Sequence, residues 1–164
     1  ALPTERYYEE EGRAELTPRD FGILMHRVFE NAATTDEIYT AIEAMTQDGV
    51  LDEKEAPRLR ELVEKALADP VTAEWFGGRW QVVRNENEII LPGSGTTRRP
   101  DRVMTDGERA VVVDYKFGDR ETARHRKQIR EYLRLLRQMG YTRTEGYLWY
   151  VRLGRTERVE EKED

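Results

Sequence analysis

The chain has 164 residues, room for one domain with a true core and too little for two ordinary ones. It contains no cysteine, which excludes disulfides, zinc–thiolate sites and iron–sulfur clusters, so any metal must be held by oxygen or imidazole. That favours a hard cation such as Mg²⁺ or Mn²⁺ over zinc. The net charge of −6 speaks against a strongly basic nucleic-acid binder, but acidic residues crowd the two ends and leave local basic patches open. Nothing resembles a signal peptide or a membrane span, so the cytoplasm is the expected compartment.

The opening run ALPTERYYEEEGRAE is charged and unpatterned, and 1–17 is expected to be a linker from an upstream region. A helix is predicted over 18–31, with Thr17 as N-cap, Pro18 in the first turn, and Phe21, Leu24, Met25, Val28 and Phe29 at helical spacing. A second helix should start after Thr34 or Thr35 and stop at Gly49. A third runs through DEKEAPRLRELVEKALAD and stops before Pro70, and a short fourth covers VTAEWF. The first part, 18–79, is therefore helical.

The period then changes. RWQVVRNENEIIL offers two short β segments or one broken strand, and PDRVM and RAVVVDYKF offer two more, joined at Asp106-Gly107. ETARHRKQIREYLRLLRQMG is an amphipathic helix with Ile129, Tyr132, Leu133, Leu136 and Met139 on its core face. EGYLWYVRL is a last strand. The result is a β-β-β-α-β core over 80–150, an α/β or α+β domain with a mixed sheet, followed by an acidic tail at 151–164.

The chemistry concentrates in RRPDRVMTDGERAVVVDYKFG. With Asp106-Gly107 as a two-residue turn, Thr105 pairs with Glu108 and Asp101 with Val112. Alternation then puts Val112, Asp114 and Lys116 on the face of Asp101. Asp101 and Asp114 become diagonal neighbours, roughly 7–8 Å apart along the backbone and closer at their side chains. Such carboxylates repel, and a bridging divalent cation removes that penalty, lowers the pKa of a bound water and polarises a phosphoryl oxygen. Lys116 on the same face can hold the attacking water or offset phosphate charge. Asp-x-Lys on a strand is more often a solvated pair than a catalytic one. Two features tip the balance. The apolar run 110–113 marks a central strand, and Arg98, Arg99 and Arg102 crowd the first aspartate as a polyanionic substrate would favour.

Pro100-Asp101 followed by Asp114-Tyr115-Lys116 resembles the signature of the PD-(D/E)xK nuclease superfamily. Gly22-x-x-x-His26 and Gln128-x-x-x-Tyr132 narrow the resemblance to RecB-like nuclease domains at the ends of superfamily 1 helicases of UvrD/AddA type. It spans about 18 to 150, the proposed single nuclease domain, and implies a restriction-endonuclease-like mixed central sheet flanked by helices, with an N-terminal helical region. It implies that His26, Asp101, Asp114 and the backbone carbonyl of Tyr115 bind the catalytic Mg²⁺ or Mn²⁺, with Lys116 as the catalytic lysine. It expects a glutamate on the preceding strand, where Glu86 fits best and Glu88, two residues later on the same face, competes. Gln128 and Tyr132 would support the site and touch DNA, although Tyr132 can equally be core. Arg99, Arg102, Arg124 and Lys127 are the expected phosphate contacts, with the basic stripe of the long helix readable either as a solvated face or as a DNA track. The family's Thr-Gly after DYK is here Phe117-Gly118. The implied activity is that of a metal-dependent deoxyribonuclease acting on DNA, with single strands preferred. The implied setting is the C-terminal part of a helicase–nuclease of double-strand break repair and recombination, beside ATP-dependent helicase domains. A catalytically inactive DNA-binding or helicase-docking module with the same fold is the alternative.

Overall fold

The computed structural model describes residues 7–8, 14–15, 18–89, 99–118 and 123–162. Two compact units divide the chain, Ala1–Phe76 and Gly77–Asp164, close to the expected change of period. No described helix is long and apolar enough to cross a membrane.

The first unit is helical, with one addition. Within the expected linker, strands β1 (Tyr7–Tyr8) and β2 (Ala14–Glu15) pair antiparallel. Helix α1 spans Pro18–Phe29; its expected cap, Thr17, lies outside the described residues. Helix α2 spans Thr35–Gln47, and Thr34 caps it by accepting the Glu37 N–H. Gly49 follows with φ 75°, the left-handed turn that a Cβ would oppose. Helix α3, Glu55–Ala66, begins later than the hydrophobic pattern suggested. The Asp52 carboxylate accepts the N–H groups of Lys54 and Glu55 at 2.8 and 2.7 Å, so 52–54 form the turn that caps the helix. Helix α4, Pro70–Trp75, is capped by Asp69. Met25, Phe29, Ile38, Ile42, Leu59, Val63 and Trp75 are buried. Each such side chain contributes about 1.5–3 kcal/mol of hydrophobic burial.

The second unit holds a five-stranded mixed sheet in the order β3-β4-β5-β6-β7. Its strands are β3 (Val82–Asn85), β4 (Arg102–Asp106), β5 (Arg109–Lys116), β6 (Arg143–Tyr150) and β7 (Arg155–Val159). Only β5 and β6 are parallel, and helix α5 (Ala123–Gln138) makes the crossover between them. One face of the sheet packs on α5 through Ala110, Val112, Leu148 and Tyr150 against Ile129, Tyr132, Leu133 and Leu136. Gly146 on β6 lets the helix come this close, because a Cβ there would lie 2.4 Å from Ile129 Cγ2 and 3.2 Å from Leu133 Cδ1.

Three expectations need correction here. Met139 is 53% exposed rather than core, because α5 ends at Gln138 and its apolar stripe ends with it. The expected acidic tail supplies an edge strand instead: β7 pairs antiparallel with β6 and buries Val159. Its alternation is weak because its other residues are charged or hydroxylic, as suits an edge.

The third concerns the hairpin register. Asp106 pairs with Arg109 and Thr105 with Ala110, so the two turn residues are Gly107 and Glu108. Gly107 has φ 59° and no described non-glycine residue has positive φ. A glycine in the first central position suits this turn, whereas Asp106 there would need a positive φ of its own. Relative to the expected register each β4 residue meets a β5 residue two further on. Because the side-chain period is also two, the faces are unchanged.

Candidate metal centre

Strand β5 is the middle strand of five and is buried along 110–116. Asp114 and Lys116 sit at its C-terminal end, at 1% and 9% exposure. Arg102 pairs with Val113, so Asp101 stands one step beyond, opposite Asp114. The aspartates therefore share a face as expected, but directly across the hairpin rather than diagonally.

Here the ladder of backbone bonds gives way to side chains. The Tyr115 N–H donates to Asp101 Oδ2 at 2.7 Å, and the Asp101 N–H donates to Asp114 Oδ1 at 3.0 Å. Each carboxylate is thus oriented by the other strand's main chain. Lys116 Nζ lies 3.7 Å from Asp114 Oδ2. Burial of all three side chains strengthens their electrostatic coupling relative to a surface pair.

Glu86 and Glu88 are not on a strand. Strand β3 ends at Asn85, and Glu86–Glu88 form a 3-10 turn that fills the expected break. The two glutamates then differ. Glu88 Oε1 accepts the Asn85 N–H at 3.2 Å and its side chain is exposed. Glu86 is half-buried, and one of its carboxylate oxygens comes within 4.8 Å of one from Asp101. Within the second unit, Asp101, Asp114 and Glu86 offer carboxylate oxygens that are buried or half-buried. That set fits a hard divalent cation and does not fit a soft one.

On the opposite face of β5, Tyr115 packs edge-on to Trp149 at 5.7 Å between ring centroids. Burial pushes its hydroxyl well above the usual tyrosine range, against the opposing pull of Arg102. Arg102 itself is fully buried beside that ring. This corrects its expected place among exposed phosphate contacts: its partner is Val113, so its side chain leaves the sheet on the face away from the carboxylates. Arg99 is exposed, and Arg98 lies outside the described residues.

Along α5, Tyr132 is 1% exposed within the hydrophobic cluster. Gln128, one turn earlier on the same face, keeps a buried Oε1 that makes no hydrogen bond among the described residues. Arg124, Lys127 and Arg134 are exposed. Arg126 and Arg137 are ion-paired with Glu157 and Glu161. Glu157 lies on β7 and Glu161 just past it, a segment whose local pattern carries no strand signal. His26 belongs to the first unit, on α1, with its Nδ1 3.8 Å from Glu30.

No curated protein matches the chain. The profile of the PD-(D/E)XK nuclease superfamily matches residues 4–164, taking in both the presumed linker and the presumed tail. Members of that superfamily are generally nucleases and typically use divalent metal ions. The mixed α/β architecture, with a five-stranded mixed sheet and helices, is consistent with its restriction-endonuclease-like fold. A buried Asp pair with a lysine two residues on, at the end of a central strand, and a family match over nearly the whole length lead to one assignment: the chain belongs to the PD-(D/E)XK nuclease superfamily.

Proposed function

We propose that this chain is a Mg²⁺- or Mn²⁺-dependent deoxyribonuclease of RecB-like type, and the C-terminal nuclease part of a helicase–nuclease acting in double-strand break repair and recombination. The observation that carries the nuclease reading is the buried, mutually oriented pair Asp101–Asp114 with Lys116 at 3.7 Å. The RecB-like and helicase part rests on the resemblance of Gly22-x-x-x-His26 and Gln128-x-x-x-Tyr132.

In this reading Asp101 and Asp114 hold the cation together with His26 and the Tyr115 backbone carbonyl. A divalent cation supplies a water of lowered pKa and polarises the phosphoryl oxygen. Lys116 orients the attacking water and offsets charge on the pentavalent phosphate. Glu86 orients that water or serves a second cation; Glu88, occupied with its own turn, does not. Gln128 steadies the substrate from α5, while Arg99, Arg124 and Lys127 engage flanking phosphates. Single-stranded DNA delivered by the helicase is the expected substrate.

The test is calorimetric Mn²⁺ binding to the wild type and to Asp114→Ala, with cleavage of single-stranded DNA on the same samples. Binding and cutting by the wild type alone support the reading. A wild type that takes up no metal at millimolar concentration, even with DNA present, overturns it in favour of an inactive docking module.

A further inference from the structure

The sheet face that carries Asp114 also walls a cavity of about 310 Å³ in the second unit. It begins beside the carboxylates. Pro100, which lines it, adjoins Asp101, and Val112, which also lines it, precedes Asp114 by two residues on the same face, about 7 Å along the strand. Tyr132, on the same helix face as Gln128, forms another wall. Most of the lining is apolar, but Arg84, Glu88 and Thr105 bring donors and acceptors to it. Apolar walls that meet a few polar groups suit a flat heteroaromatic ring with donors and acceptors on its edge.

We propose that this cavity receives one unpaired nucleobase of the strand being cut, next to the phosphate held at Asp101 and Asp114. The inference rests on the proposed nuclease function and deepens it. A base seated there cannot stay paired, so the site selects single strands or frayed ends, and a duplex must first give up a base pair. Two lining residues give access for a test without touching the carboxylates: Met139 at 53% and Val82 at 37% exposure. A tryptophan at either fills the cavity from its rim.

The experiment is an abasic scan. Single-stranded oligonucleotides carry one abasic site at each position around the mapped cut. Cleavage with Mn²⁺, and anisotropy-detected binding with Ca²⁺, are compared for the wild type, Met139→Trp and Val82→Trp, each checked for folding by circular dichroism. We expect one position, within two nucleotides of the cut, where the abasic site lowers wild-type kcat/KM and affinity about tenfold, the scale of losing one base contact. We expect the tryptophan variants to lose as much on the natural strand and nothing more on that abasic strand. A flat scan with normal cutting or binding overturns the base pocket and leaves the nuclease reading standing. Tryptophan variants indistinguishable from wild type on the natural strand also overturn it. A wild type that binds but does not cut still decides the matter by anisotropy, and one that does neither overturns both readings.

Discussion

Asp101 and Asp114 each orient the other's strand: the Asp101 carboxylate takes the Tyr115 N–H at 2.7 Å, and the Asp114 carboxylate takes the Asp101 N–H at 3.0 Å. The same groups are thus structural acceptors and candidate metal ligands, and substitutions can separate the roles. Asp114→Asn keeps an acceptor for the Asp101 N–H and removes the charge. It should fold, keep the Asp101 N–H bond, and lose Mn²⁺ binding and cleavage. Asp114→Ala should in addition lose about 1–3 kcal/mol, because a buried donor is left unpaired. Urea denaturation and calorimetry on both variants check this; equal stabilities for Asn and Ala would contradict it.

Lys116 lies 3.7 Å from Asp114 Oδ2 and is about nine-tenths buried. Lys116→Met keeps the length and apolar stem of the side chain and removes the ammonium. Under the proposed function kcat should fall by about 10²–10³-fold, the scale of losing one preorganised donor, with Mn²⁺ affinity retained. Single-turnover cleavage at saturating DNA is the measurement, and an unchanged rate would remove Lys116 from the chemistry.

The two glutamates of the 3-10 turn separate in the same assay. Glu86→Gln should weaken Mn²⁺ binding or slow cleavage at least tenfold, because its oxygen stands within 4.8 Å of one from Asp101. Glu88→Gln keeps an acceptor for the Asn85 N–H and should leave metal binding unchanged. The reverse pattern would exchange their roles.

Gly146 is a packing requirement at the α5–sheet contact. A Cβ would meet Ile129 Cγ2 at 2.4 Å, a branch methyl with little freedom in a helix. Gly146→Ala should destabilise by about 1–3 kcal/mol through overpacking. It should also reduce cleavage, since Gln128 and Tyr132 ride on the same helix. Ile129→Ala removes that methyl, so it should cost less stability in the Gly146→Ala background than in the wild type, and chemical denaturation of both single variants and the double variant reads the coupling.

Glu145 ties β6 to β5 through a part-buried ion pair with Arg109. Arg109 Nε donates to it at 2.6 Å and also stacks over Trp80 at 4.8 Å. Burial alone would raise the Glu145 pKa, but hydrogen bonds from Arg109 and Tyr147 outweigh it and bring the carboxyl below its usual 4.5. The sign follows: a depressed carboxyl pKa contributes stability above the unfolded value near 4.5 and loses it as pH falls through the folded one. Glu145→Gln should therefore flatten the fall in Tm below that pH and cost stability at neutrality. Burial, with Glu145 next in effect, also pushes the Tyr147 hydroxyl up to about 12, so it should stay protonated in ultraviolet titration past the range of exposed tyrosines.

The residues by themselves determined a good deal. Helical spacing placed α1 to α5, because one buried stripe per helix leaves a 3.6-residue signature. The run 110–113 marked the middle strand, since a strand covered on both faces cannot alternate. Asp101, Asp114 and Lys116 fell on one face under either register, because both registers preserve parity. Only the tertiary structure decided the rest. Whether Asp106 or Gly107 opens the turn depends on which residue can take positive φ once the strands twist together, and that choice set the aspartates directly opposite. Strand β7 has too little apolar alternation to announce itself and exists because β6 offers a free edge. Arg102 looked like a surface cation in RRPDRV, yet the pleat turns it inward beside Tyr115. Side-chain identity is local, but the face a side chain takes and the partner it finds depend on pairings between distant residues, which no local pattern encodes.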